Sequence, residues 1–364
     1  MGILSFYIWL TIICVSLSYI STLLSARKIS IRIVNAIDFT PYLILIFITG
    51  FRYNVGTDYN GYALNFDYLM NNDIPRIEYS FKAIVKIAHL IGFNQQFIFF
   101  VYAVITYVFI FLSIKYFDSK AKYRHIITLL VLQYFLFTGF NTVRQMVAVA
   151  IFFYAIRFIV NKNFVRYIIW IIIASFFHKS AIICLIFYFV LNLNIKKFIM
   201  ILIVSPIFLI MDLGNKLLSL YVLISGNSWY DPYLTDFNSS VDVSGGKVMF
   251  VLYAIALILA ITSNKIELEK NEKIIINLFI CYIMILFATL SSVIATRALY
   301  YPMVSLILVF PMITKYFHGK YGAMFSRYIV FIFVAALWFN SLIGYKELFK
   351  ENRLLDYSFK IFFN

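Results

Sequence analysis

The sequence predicts an all-α, polytopic membrane protein with about 11–12 transmembrane helices, including one pair of short helices. Of its 364 residues, 63% are hydrophobic and only 13% are charged, against about 45–50% and about 25% in soluble domains. Apolar runs long enough to cross hydrocarbon recur along the whole chain. One water-facing globule cannot bury so much apolar surface, so lipid is the solvent for most side chains. We expect a single integral membrane domain over residues 1–364.

The first predicted span is residues 1–26, which carry no charge and are followed by Arg27 and Lys28. Because no basic segment precedes it, we interpret it as a span with its N-terminus outside rather than as a cleaved signal. The remaining apolar runs predict further spans at 34–51, 96–114, 125–140, 143–160, 165–177, 180–192, 198–212, 247–264, 274–291, 298–314 and 327–345.

The segments 165–177 and 180–192 are short for a membrane crossing, and His178-Lys179-Ser180 lies between them. They form either a hairpin of short helices or one long broken helix. Basic residues lie before the first segment and after the second. This places the beginning of the first segment and the end of the second on the same side of the membrane, so we favour the hairpin.

The basic residues set the orientation. The net charge is +15, but the cations are scattered in short loops instead of forming one stripe, which argues against a nucleic-acid surface. Placing six loops inside puts 18 of the 31 Lys and Arg there, as the positive-inside rule requires. Those loops are 26–33, 115–124, 157–166, 194–197, 265–273 and 315–327. The three cysteines lie in apolar runs and predict neither a disulfide framework nor a metal site.

Two long segments then lie outside. Residues 52–95 begin with polar sequence and continue as a moderately apolar stretch, 79–93, which we interpret as an interfacial or re-entrant helix. Residues 213–246 contain Gly245-Gly246 and are either a lid over a site or a plain connecting loop.

Ionisable residues at membrane depth cost about 2.5 kcal/mol or more, so each needs an explanation. The first outer cluster is Arg52 to Tyr59, with Gly56 permitting a turn. Arg52 and Asp58 in it are either a surface ion pair or an anion-binding arginine beside a carboxylate base. The second is Asn141 to Gln145, where Arg144 at a helix N-terminus is either a phosphate ligand or an interfacial arginine.

The third cluster is His178 with Lys179, at the break between the two short segments. A lone histidine is more often a packing residue, but the position of His178 at this break favours a functional role. The fourth is Arg297, which follows the uncharged run 274–296 and is either functional or an interfacial anchor.

Three arginines, a histidine and a carboxylate on one side of the membrane predict a site for a polyanion such as a pyrophosphate head group. The chain has no Asp-x-Asp, no nucleotide-binding glycine loop and no His/Cys ligand spacing. We therefore expect no cofactor and no metal ion.

In this order, the clusters resemble the EpsG family of Wzy-type polysaccharide polymerases. The resemblance covers about residues 50–310. The matching pieces are Gly56-x-Asp58-Tyr59 with Tyr62, Glu78, Asn141-x-x-Arg144-Gln145 with Ala148, His178-x-Ser180-Ala181, and Arg297 with Tyr300.

The resemblance implies a glycosyltransferase of the bacterial cytoplasmic membrane, with relatives among the GT-C enzymes. Such polymerases join O-antigen or capsule repeats by moving a growing glycan from undecaprenyl pyrophosphate to the non-reducing sugar of another lipid-linked repeat. The site would face the periplasm or cell exterior, and a chain-length regulator would be a partner.

The residue roles expected under this resemblance fall into three groups. Arg52, Arg144 and Arg297 would bind the pyrophosphate. Asp58 is the first choice for the base, with Glu78 and His178 as alternatives. The sugars would contact Tyr59, Tyr62, Asn141, Gln145 and Tyr300.

Three rival functions share some of these features. A flippase for the same lipid would show internal repeats, and none is visible. A membrane acyltransferase with His178 as base leaves three arginines unused. An O-antigen-type ligase uses the same donor with another acceptor, and only the family resemblance argues against it.

Overall fold

A computed structural model of the chain describes residues 3–71, 77–225, 246–263, 268–290, 292, 295–314, 320–351 and 357–361. It confirms the all-α prediction. The helices are α1 (Ile3–Ala26), α2 (Ile31–Gly50), α3 (Tyr59–Asn71), α4 (Tyr79–Leu90), α5 (Gln96–Phe117), α6 (Arg124–Val131), α7 (Phe137–Asn141), α8 (Val143–Val160), α9 (Phe164–Phe177), α10 (Leu185–Val190), α11 (Ile195–Val204), α12 (Ile207–Ile210), α13 (Leu213–Ser225), α14 (Gly246–Thr262), α15 (Lys270–Thr289), α16 (Val304–Ile313) and α17 (Lys320–Glu351). A π-helical turn, Leu132–Leu136, joins α6 to α7, and 3₁₀ turns occupy Lys179–Cys184 and Ala295–Tyr300.

Six stretches within these helices are long and apolar enough to cross a membrane. They are Ser5–Ala26, Ile31–Gly50, Gln96–Phe117, Val143–Val160, Lys270–Thr289 and Phe325–Leu342. Shorter apolar helices cover Phe164–Phe177, Lys179–Val190, Val248–Thr262 and Val304–Ile313. The chain is therefore a multi-pass membrane protein, and the total of 11–12 crossings stays a prediction.

The predicted short-helix hairpin is confirmed. Phe164 begins α9, and its ring lies 4.7 Å from the ring of Tyr188 near the end of α10. The 14 residues of α9 extend for about 21 Å. Since the start of one helix touches the end of the other, the chain reverses direction between them, where His178 lies.

The chain forms two compact units. The first comprises residues 1–157, 165–182 and 310–364, and the second comprises 158–164 and 183–309. In the first, α2 packs between α1 and α5, and α6 packs on α1. In the second, α15 packs against α11, α12, α13 and α14. The side-chain amide of Asn277 in α15 donates a hydrogen bond to the carbonyl of Leu191, just after α10, at 2.8 Å. This bond connects the two helices.

The segment 52–95, predicted to lie outside, begins with a strand pair that the sequence did not predict. Strand β1 (Arg52–Tyr53) runs antiparallel to β2 (Ser358–Phe359), with Arg52 opposite Phe359. The amide of Lys360 donates to the carbonyl of Phe51 at 2.9 Å. Residues 358–360 therefore fix the start of the segment 52–95 by backbone hydrogen bonds.

Helix α4 lies within the stretch expected to form a helix at 79–93. It buries Phe81, Ile84, Val85 and Ala88, which recur at the i, i+3, i+4, i+7 spacing of one helix face. That face packs on α5. In the segment 213–246, predicted to be an outer lid or a plain loop, α13 covers 213–225, and 226–245 lie outside the described residues.

Candidate functional site

The candidate site lies at one end of the first unit, where several predicted residues meet at helix ends. Helix α7 ends at Asn141 and α8 begins at Val143, so Arg144 lies in the first turn of α8, as the sequence predicted. Helix α9 ends at Phe177, immediately before His178. Glu78 immediately precedes α4. Side chains from three separate parts of the chain thus come together here.

The Gly56–Thr57 turn packs directly on the end of α7. Gly56 has φ +93, and a Cβ there would lie 2.6 Å from the carbonyl oxygen of Phe140. Asn141 Oδ1 accepts a hydrogen bond from the Thr57 amide at 2.8 Å. Only glycine fits this close approach with positive φ. Asn141, predicted to bind glycan, therefore holds the turn that presents Asp58.

Arg52 has a different environment from the one its predicted role requires. Its side chain is fully buried. Its Nε, Nη1 and Nη2 donate to the backbone carbonyls of Val55, Thr49 and Phe140 at 3.1, 2.8 and 2.9 Å. Burial lowers the pKa of Arg52 to about 10, so the guanidinium remains charged at neutral pH. These contacts favour a role for Arg52 in fixing the turn, and its role in pyrophosphate binding stays a prediction.

Glu78 contacts both Arg144 of the second predicted cluster and His178 of the third. Its Oε2 accepts a hydrogen bond from Arg144 Nη1, and its Oε1 lies 3.3 Å from His178 Nδ1. We call these three residues the Glu78 bridge. Glu78 is 7% exposed, whereas the Arg144 and His178 side chains are 27% and 25% exposed. With both oxygens engaged, Glu78 is placed to position its partners rather than to act as a free base.

The electrostatics of the bridge favour the ionised carboxylate. Burial alone would raise the pKa of Glu78, but the nearby His178 imidazole and the charge of Arg144 outweigh it, and the pKa lies below the usual glutamate range. Arg144 Nε is buried and has no hydrogen-bond acceptor among the described residues. Its guanidinium carbon lies 5.5 Å from the centroid of the Tyr62 ring, which adds cation–π attraction.

Beside the bridge is an open cleft of about 260 Å³. Its lining consists of Thr57, Asp58, Gly61, Tyr62, Asn65 and Arg144. We call it the α3 cleft, since most of these residues belong to the first half of that helix or to the turn before it. Asp58 is exposed, and Thr57 Oγ1 lies 3.4 Å from its Oδ1. The predicted carboxylate base and the predicted phosphate-binding arginine therefore line the same cleft.

Three of the predicted sugar-contacting residues are buried, but only two of them, Tyr59 and Gln145, are also absent from the lining of the cleft. Tyr59 is 2% exposed, stacks on Phe99 at 4.7 Å and donates to Gln96 Oε1 at 3.1 Å. Gln145 is 3% exposed. These environments favour packing roles for both residues, whereas Tyr62 lines the cleft.

Arg297 and Tyr300 belong to the second unit, on the 3₁₀ turn Ala295–Tyr300. The geometry above is that of the first unit alone. Their predicted roles in binding pyrophosphate and glycan therefore stay predictions.

Sequence reasoning missed three contributors. Gln96 is fully buried and donates to the carbonyls of Gly50 and Arg52 at 2.7 and 2.9 Å, which ties α5 to the turn. The sequence signal that points to Gln96 is a polar residue at the start of a long apolar helix. Gly61 and Asn65 line the cleft, and their common helix face follows from the i, i+4 spacing.

Fold and site together define a multi-pass helical membrane protein in which a buried glutamate joins a partly exposed arginine and histidine beside an open cleft. The model of the EpsG family matches residues 35–359, and the chain belongs to that family. Members of this family are Wzy-like polymerases, so membership indicates a polysaccharide polymerase of glycosyltransferase type. No curated protein and no solved structure matches the chain.

Proposed function

We propose that the chain joins lipid-linked oligosaccharide repeats at the outer face of the bacterial cytoplasmic membrane. It would transfer the growing glycan from undecaprenyl pyrophosphate to the non-reducing sugar of another lipid-linked repeat. The observation that carries this proposal is the Glu78 bridge, which places Arg144 at a helix N-terminus in the wall of the cleft that contains Asp58. Family membership supports the glycan as substrate.

The reaction is one displacement at carbon. The acceptor hydroxyl oxygen bonds to the anomeric carbon of the donor glycan, and the bond from that carbon to the pyrophosphate oxygen breaks. The bonding electron pair leaves with the lipid pyrophosphate, and the hydroxyl proton passes to a protein base. Positive charge grows at the sugar ring and negative charge at the leaving oxygen, as in other glycosyl transfers. The protein therefore has to stabilise the leaving pyrophosphate and accept one proton.

Arg144 is suited to the leaving group. Free N–H groups and the helix dipole at the start of α8 favour an anion there, and the arginine adds charged donors. Nη1 is held by Glu78, whereas Nε has no acceptor among the described residues. We propose that the donors not used by Glu78 bind a pyrophosphate oxygen. Arg297 stays the proposed second cation on the evidence of the sequence.

Asp58 remains the proposed base, because it is exposed in the cleft beside Arg144. His178 is the alternative. If Nδ1 carries the proton that faces Glu78, Nε2 carries the lone pair that accepts a proton, as in other histidines oriented by a carboxylate. A protonated His178 would instead hydrogen-bond the pyrophosphate. We propose no metal ion in the step, since the residues named here account for both charge and proton.

The test is polymerisation by purified protein in liposomes. The substrate is the lipid-linked repeat extracted from the producing strain with this chain deleted, with EDTA present and without nucleotide sugar. Wild type is compared with Arg144→Ala, Arg297→Ala, Asp58→Asn and His178→Ala. We expect a glycan ladder from wild type that is lost in Arg144→Ala.

Three results would overturn the proposal or part of it. Transfer of the lipid across the bilayer without a ladder would indicate a flippase. Transfer of glycan to an acceptor other than a second repeat would indicate a ligase. A ladder that EDTA abolishes and Mg²⁺ restores would contradict the metal-free step. A chain-length regulator, if it is a partner, would narrow the ladder when added.

A further inference from the structure

The α3 cleft contains a glycine that the fold does not require. Gly61 is exposed in the first turn of α3, its backbone is helical, and a Cβ added there would meet no atom within 4 Å. This contrasts with Gly56, whose positive φ and close contact with α7 exclude every other residue. The effect of glycine at position 61 is therefore to leave bare backbone in the wall of the cleft, which permits close approach of a ligand.

The lining of the cleft fits a hydroxyl-rich ligand. Asp58 only accepts hydrogen bonds when ionised, Asn65 both donates and accepts, and the Thr57 hydroxyl does either. The Asp58 carboxylate repels a second carboxylate or a phosphate at its end of the cleft. The volume of about 260 Å³ lies just below the ~300–1,000 Å³ range of drug-sized ligands. A single uncharged sugar ring satisfies both the size and the hydrogen-bonding pattern.

We infer that the α3 cleft is the subsite for the terminal, non-reducing sugar of the acceptor repeat, and that Gly61 sets the size of sugar it admits. This inference rests on the proposed polymerase function and adds the part of the substrate that binds here. The sugar ring lies over the bare backbone at Gly61, Asn65 holds its hydroxyls, and Asp58 faces the hydroxyl that attacks. Gly61 is thus a specificity-determining residue, although it carries no reactive group.

The first test enlarges position 61 and compares it with its neighbour. Asn60 is also exposed on α3 but does not line the cleft, so Asn60→Leu adds similar bulk outside the subsite. In the liposome assay, we expect Gly61→Ala to lower kcat/KM for the acceptor about tenfold and Gly61→Leu at least about a hundredfold. Asn60→Leu should match wild type. Equal rates for Gly61→Leu and wild type would overturn the inference.

The second test measures binding without turnover. The native cysteines Cys14, Cys184 and Cys281 are buried, so Gly61→Cys provides the accessible thiol for a membrane-impermeant maleimide. The probe is the soluble repeat oligosaccharide released from its lipid by mild acid, which lacks the pyrophosphate of the donor but keeps the non-reducing sugar of the acceptor. We expect it to slow labelling at position 61 but not in an Asn60→Cys control. Equal labelling with and without the oligosaccharide would contradict an acceptor subsite.

The two tests separate failure of this inference from failure of the proposed function. If wild type makes no ladder but the oligosaccharide still protects Gly61→Cys, the polymerase proposal fails and the glycan site stands. If wild type makes a ladder, while Gly61→Leu is fully active and Gly61→Cys is unprotected, the polymerase proposal stands and the subsite is wrong.

Discussion

Arg52 and Arg144 lie at the same end of the first unit, yet their surroundings assign them opposite roles. Arg52 is completely buried and gives its donors to three backbone carbonyls. Arg144 is partly exposed, bonds one carboxylate and lines a cleft. Each of the three nitrogens of Arg52 already donates to the backbone, whereas an arginine held from a single side keeps more donors for substrate. Membrane depth alone does not distinguish a structural arginine from a functional one.

A third arginine extends the comparison. Arg124 is buried at the start of α6, with its Nε 3.1 Å from Asp38 Oδ2 and its Nη2 donating to the carbonyl of Asp118 at 2.9 Å. These contacts join α2, the end of α5 and α6. Asp38 lies in an otherwise apolar span, and its pairing with Arg124 accounts for that costly position. Arg124 therefore resembles Arg52 more than Arg144, because Arg124 and Arg52 each bond to parts of the protein and hold them together.

The largest effect is expected from Arg144. Replacing it with alanine should lower the polymerisation rate about 10²–10³-fold, because charge on the leaving pyrophosphate loses its preorganised donors. The protein should still enter the membrane and elute as one species in detergent, but with a lower thermal midpoint, because the buried Glu78 carboxylate loses its cationic partner. Rate is measured from ladder formation in liposomes. Activity within about threefold of wild type would remove Arg144 from the mechanism.

Arg52→Met should act on stability instead. Loss of the guanidinium leaves three buried carbonyls without their donors, a cost of about 3–5 kcal/mol by analogy with other broken buried charge networks. We expect a lower thermal midpoint in detergent and less protein in the membrane, with near-normal rate per folded molecule at low temperature. Arg32→Met is a matched control, since Arg32 is exposed at the start of α2. Full stability with lost activity would return Arg52 to the substrate site.

The Glu78 bridge predicts an intermediate effect. Glu78→Gln keeps the size of the side chain but removes the charge that orients Arg144 and His178. We expect a rate about 10–100-fold lower, as for other residues that orient a catalytic group. Asp67→Asn, an exposed acid-to-amide change on α3, is the control and should leave the rate unchanged. If Glu78→Gln were as active as wild type, the bridge would be purely structural.

How far the sequence predicts this molecule depends on the range of the interaction. The spans, the hairpin and the place of Arg144 at a helix start follow from hydrophobic runs and charge, which are local. The partners of Arg52 do not, because one of them, Phe140, is 88 residues away. The pairing of Arg52 with Phe359 and the contact of Glu78 with two distant helices likewise need the packed fold. The sequence predicts where a charged residue lies relative to the membrane, but the packed fold determines which groups its donors bond to.

A smaller effect is expected from Asn141→Ala. Its Oδ1 accepts a hydrogen bond from the Thr57 amide, and loss of one such bond costs about 1 kcal/mol. The Gly56–Thr57 turn is also held by Arg52, so we expect it to loosen without unfolding. The acceptor KM should rise about threefold to tenfold with little change in thermal midpoint, measured by titrating the lipid-linked repeat. An unchanged KM would show that the contacts of Arg52 and Gln96 fix the turn without Asn141.

The smallest effect concerns pH. The pKa of Glu78 is lowered in the folded protein, so its charge stabilises the fold above the unfolded-state pKa of about 4.3 and stops doing so as pH falls through the lower folded value. Wild type should therefore have a higher thermal midpoint than Glu78→Gln at pH 7 and keep that advantage to about pH 5. The difference should shrink only below about pH 4. Midpoints of both proteins in detergent, measured across this range, check the prediction. An advantage that faded between pH 7 and pH 5 would show that the charge of the Glu78 carboxylate is not what stabilises the fold.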